Sequence, residues 1–69
     1  MAQKMIEYSN SQISRLIDDY IHSERDRNIL KRRLIDGILY EQLAEEFDLS
    51  VQRVKAIVYK GQERIFKHL

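Results

Sequence analysis

With 69 residues the chain has room for one domain, and a core of that size supplies only about 3–5 kcal/mol unaided. The absence of cysteine excludes a disulfide frame and a thiolate metal site, and no apolar run approaches the roughly 18 residues of a membrane span or forms the core of a signal peptide, so a cytoplasmic protein is expected. The formal net charge of +1 selects no partner by itself, yet charge alternates in blocks along the chain. Residues 1–24 are net acidic, and residues 25–35 carry Arg25, Arg27, Lys31, Arg32 and Arg33 against Asp26 alone. Residues 36–50 bear only acids, and residues 51–69 carry Arg53, Lys55, Lys60, Arg64 and Lys67 against Glu63. Such segregation can build a basic face on a nearly neutral molecule.

With no proline and two glycines, little interrupts helix, and an all-α fold is predicted. Residues 1–8 are expected to form an N-terminal arm, with one helical domain over 9–69. Ser9 with Gln12 three residues on forms a capping box, and Tyr8 and Ile13 are spaced as a hydrophobic staple. The first helix then places Ile13, Leu16, Ile17, Tyr20 and Ile21 on one face. Ser23 with Asp26 starts a second helix, from Glu24 to about Asp36, and Gly37 suits the left-handed position beyond its end. A third helix is predicted over Tyr40–Phe47 and a fourth from Val51 to about His68.

The third and fourth helices are separated by three residues, the spacing of a helix-turn-helix over residues 40–60. Leu43, Ala44 and Phe47 share one face of the third helix, Leu49 plugs the turn, and Ser50 caps the helix that follows. Ala44 is expected where the two helices cross. The fourth helix should bury Val54, Ile57, Val58, Gly61, Ile65 and Leu69, and a close helix crossing would explain a glycine inside that stripe. Asp48 falls where the turn asks for a left-handed residue, a conformation that Asp tolerates better than most.

Opposite the buried stripe lie Gln52, Ala56, Lys60, Glu63 and Lys67, with Arg53 and Tyr59 at the margins. In a major groove Gln52 could pair with an adenine edge, Ala56 could approach a thymine methyl, and Val51 could add an apolar base contact. Arg53, Lys55, Tyr59 and Lys60 are placed for the DNA backbone, which fixes register without reading sequence. Arg33, in the run Lys31-Arg32-Arg33, is a further backbone candidate, with a purely solubilising role as the alternative.

From Ser23 onward, about two thirds of the chain, the sequence resembles the fourth conserved region of bacterial sigma factors. Ser23-Glu24-Arg25-Asp26 resembles that family's Thr-x-Arg-Glu helix start, and Ile29-Leu30 with Arg33 resembles its Val-Leu-x-Leu-Arg stretch. Gln42 to Ser50 resembles the Glu-Ile-Ala-x-x-Leu-Gly-Leu-Ser core, and Arg53-Val54-Lys55 with Ile57 resembles the opening of the recognition helix. Departures lie at Val51-Gln52, where Arg-Glu is customary, at Ala56 for a polar Gln, at Leu39 for a Thr cap, at Arg32 for a Leu and at Asp48 for a Gly. The resemblance implies a sigma region 4-like four-helix bundle with a C-terminal helix-turn-helix, similar to the small stand-alone sigma-like proteins of bacterial chromosomes, prophages and mobile elements.

Double-stranded DNA is therefore the expected partner, in transcription regulation or as a sigma-like accessory factor. The alternative is a module that binds RNA polymerase or a regulator without DNA contact, motivated by the acidic Glu41, Glu45 and Glu46. A homodimer through the first helix is expected if its apolar stripe exceeds what the core covers. No catalytic group, metal site or cofactor is expected. Adjacent acids on a helix do not face each other, which removes Asp18-Asp19 and Glu45-Glu46 as carboxylate pairs, and neither His22 nor His68 has ligand spacing around it.

Overall fold

Three of the four helices start on a serine whose side chain closes the first turn. The computed structural model describes residues 9–68. Its helices are α1 (Asn10–Tyr20), α2 (Glu24–Leu34), α3 (Tyr40–Phe47) and α4 (Val51–Phe66), with no strand among the described residues. The expected arm over residues 1–8, the staple residue Tyr8 and the stripe residue Leu69 lie outside them.

Ser9 Oγ accepts from the Gln12 amide at 3.2 Å, and Gln12 Oε1 accepts from the Ser9 amide at 2.9 Å, completing the capping box of α1. Ser23 and Ser50 accept from the amides of Asp26 and Arg53 in the same manner. Each bond satisfies an amide that the helix cannot, at a typical gain of about 1 kcal/mol. Leu39 starts α3 without a side-chain cap.

The end of α2 falls two residues earlier than the sequence pattern indicates. The amides of Ile35 and Asp36 share the Lys31 carbonyl, while those of Gly37 and Ile38 return to Arg33 and Arg32. Gly37 has φ +71°, and this left-handed residue unwinds the last turn ahead of it. Asp48, the C-cap of α3, is left-handed at φ 58° and ψ 47°. Only Leu49 and Ser50 then separate it from α4. Helix α4 itself stops at Phe66 rather than near His68.

One core joins Ile17 and Ile21, Ile29 and Leu30 of α2, Leu43 and Ala44 of α3, and Val54, Val58 and Ile65 of α4. Ile13, Leu16 and Tyr20 of α1 pack against it half-buried, so the α1 stripe is largely covered by its own chain. Helices α2 and α4 each touch all three others, whereas α1 and α3 do not approach each other. At the α2–α4 contact a Cβ added to Gly61 would stand 2.7 Å from Leu30 Cδ2 and closer still to Cδ1. The missing side chain is what lets these two helices come together.

Polar contacts fix the outer helices to this pair. Arg27 Nη1 donates to the carbonyls of Ile21 and His22 at 2.8 and 2.9 Å, capping the end of α1. Lys31 Nζ of α2 lies 2.7 Å from Asp18 of α1, and the His68 ring stacks on Tyr20 with centroids 3.7 Å apart. On the other side Arg32 grips Glu46 of α3, with Nη2 at 2.9 Å from both carboxylate oxygens.

Candidate nucleic-acid interface

The helical repeat that buries Val54, Val58, Gly61 and Ile65 turns the opposite side of α4 to solvent. Gln52, Arg53, Lys55, Ala56, Tyr59 and Lys60 are all exposed, as are Glu63, Arg64 and Lys67 further along. The Ser50 cap holds the first turn, and with it Gln52 and Arg53, in regular helix. Two expected site residues sit elsewhere. Val51 is half-buried and packs against the core, because it is on the edge of the apolar stripe rather than on the outer face. Arg33 turns inward: Nη1 donates to the Ile38 carbonyl at 2.9 Å, and its guanidinium carbon lies 4.1 Å from the Tyr40 ring centroid.

The two basic blocks of the sequence thus have different fates. On α2, Arg25 pairs with Asp26, Lys31 with Asp18 and Arg32 with Glu46, while Arg27 and Arg33 cap carbonyls. On α4, Arg53, Lys55, Lys60, Arg64 and Lys67 have no ion pair with a carboxylate among the described residues. Glu45 and Glu46 of α3 lie apart from them. Glu46 faces Arg32, and the shallow hollow formed by Arg32, Gln42, Glu45 and Glu46 includes no residue of α4.

Tyr40, at the start of α3, was not anticipated as part of this surface. Its ring meets Tyr59 edge-on at 6.5 Å between centroids, and Lys55 Nζ stands 5.7 Å from it. Lys55 and Tyr59, one turn apart on α4, are thereby held against α3. Tyr59 keeps 56% of its surface exposed, and among the described residues Leu39 and Phe66 are the other large apolar side chains left open to solvent. No spacing in the sequence marks Tyr40 as their neighbour, since the contact spans the turn between the helices.

Among the described residues no three His, Cys, Asp or Glu side chains gather as a metal set, and no helix is long and apolar enough to cross a membrane. Neither a family model, nor a curated protein, nor a solved structure matches this chain. What α4 can do is decided by its own side chains.

Proposed function

We propose that the chain is a small DNA-binding protein in which α3 and α4 act as a helix-turn-helix and the first half of α4 enters a major groove. The observation that carries this reading is the contrast between α2 and α4: five cations engaged by carboxylates or carbonyls on one, five exposed without acidic partners among the described residues on the other. Cations that the fold does not use can neutralise phosphates and release their counterions. Gln52 and Ala56 are exposed at the centre of the leading face, where a side chain amide can pair with adenine and a methyl can meet thymine. Arg53 and Lys60 flank them on one edge and Lys55 and Tyr59 on the other, positions suited to the two phosphate walls of the groove. A role in transcription, as a regulator or a sigma-like accessory factor, fits such a unit.

The test is selection from a random duplex pool followed by affinity measurement at two salt concentrations. Three or four phosphate contacts imply an affinity loss of about 40- to 150-fold between roughly 50 and 200 mM salt. Arg53→Ala combined with Lys55→Ala should flatten the logarithmic slope by about 1.8. If no duplex is enriched, or the slope survives both substitutions, α4 does not read DNA.

A further inference from the structure

The first half of α4 is enough for a major groove, which leaves the charge of its second half without a role. Arg53, Lys60 and Lys67 recur at i, i+7 and i+14, and Arg64 lies beside them. They form a cationic seam about 21 Å long at the helical rise per residue. It borders an open trench whose opposite wall is the start of α2, from His22 to Asp26. Between the walls lie half-buried Ile57 and buried Leu30 and Gly61, with exposed Ala56 at the rim beside the seam. Two carboxylates line the trench, Asp26, which is held by Arg25, and Glu63.

We propose that this trench is a docking site for an acidic segment of a partner protein, with apolar side chains set among its carboxylates. Charge complementarity selects the acids, since four cations on one wall lack acidic partners among the described residues. The apolar residues between and beside the walls select the apolar side chains. A phosphate backbone carries no group that gains from covering Ala56 and Ile57, whereas an acidic amphipathic segment does. An extended stretch of about six residues spans the seam at the strand rise per residue. Because Arg53 and Lys60 belong both to this wall and to the DNA-facing edges, an occupant of the trench would oppose duplex binding, a consequence that alone rests on the DNA reading.

A fluorescent twelve-residue peptide of glutamate and leucine, titrated against the whole chain without DNA, tests the site. Arg64→Glu with Lys67→Glu should weaken its binding at least tenfold. A control peptide with serine for each leucine should bind at least fivefold more weakly. On the unaltered protein, amide shifts caused by the peptide should map to 22–26 and 53–67, a readout independent of how the variants fold. Absence of binding, equal binding of the serine peptide, or shifts centred on α3 would overturn the proposal. Tighter binding of a twelve-residue single-stranded thymidine oligonucleotide, lost in the same variant, would reassign the trench to nucleic acid and overturn it too. Since the peptide is measured alone, failure of duplex binding leaves this experiment intact.

Discussion

Replacing Gly61 by alanine opposes two effects of known size, and the geometry at Leu30 decides between them. Alanine is favoured over glycine inside a helix by about 1 kcal/mol. Its methyl, however, would stand 2.7 Å from Leu30 Cδ2 and 3.0 Å from Cγ, where carbon atoms ordinarily rest about 3.5–4.0 Å apart. Leu30 is 0% exposed, so its side chain must shift within its packing to admit the methyl. Overpacking of this kind is destabilising by about 1–3 kcal/mol, which leaves a net loss near 1 kcal/mol and a fall in Tm of about 4–8 °C. Gly61→Val, bulkier and a poorer helix former, should lose more. Thermal melts followed by circular dichroism at 222 nm measure both. Leu30→Ala alone should be destabilising by about 2–5 kcal/mol, but combined with Gly61→Ala the new methyl enters vacated space, and the pair should be more stable than the two losses added together by about 1 kcal/mol. A rise in Tm for Gly61→Ala, or strict additivity in the cycle, would refute the close approach of α2 and α4.

The other expectations concern the turn and the charges. Asp48→Gly relieves a left-handed side-chain residue and should stabilise by up to about 1 kcal/mol, whereas Asp48→Val should destabilise; the reverse order in urea titrations would contradict a left-handed turn. Ser50→Ala should lower stability by about 1 kcal/mol and weaken duplex binding together with it, because the same cap orders Gln52 and Arg53; hydrogen exchange of the Arg53 amide reports the fraying directly. Arg32→Ala removes an ion pair whose side chains are more than a third exposed, so its effect on stability should be about 0.2–1 kcal/mol. Its duplex salt slope should match that of the unaltered protein, in contrast to Arg53→Ala, and equal slopes for the two variants would erase the distinction between α2 and α4.

The features legible in the sequence are those set by neighbours along the chain. Ser9, Ser23 and Ser50 bond to amides three residues ahead, so their patterns locate three helix starts. Asp48 and Gly37 reveal left-handed positions because few residue types tolerate them. Gly61 points to a helix crossing because a glycine inside an apolar stripe otherwise has a helix-propensity cost with no return. The partners of Lys31 and Arg32 are harder to see, for they are Asp18 and Glu46, on separate helices. The alternation of charge blocks did contain the signal: a basic segment between two acidic ones can be neutralised from both sides. Arg33 and Val51 mislead for related reasons, since helix periodicity says nothing of a guanidinium curling back onto a loop carbonyl, and it places Val51 only at the edge of a face.

The outer helices α1 and α3 meet the central pair but not each other. Two leaves that share a spine can open one at a time. If α1 swings away, Ile17, Ile21 and the Tyr20–His68 stack are surrendered, yet the corner built from Leu43, Ala44, Val54 and Val58 keeps its internal contacts. Partial opening from the N-terminal side would therefore leave the corner between α3 and α4 assembled, so that its shape is insulated from breathing elsewhere in the molecule.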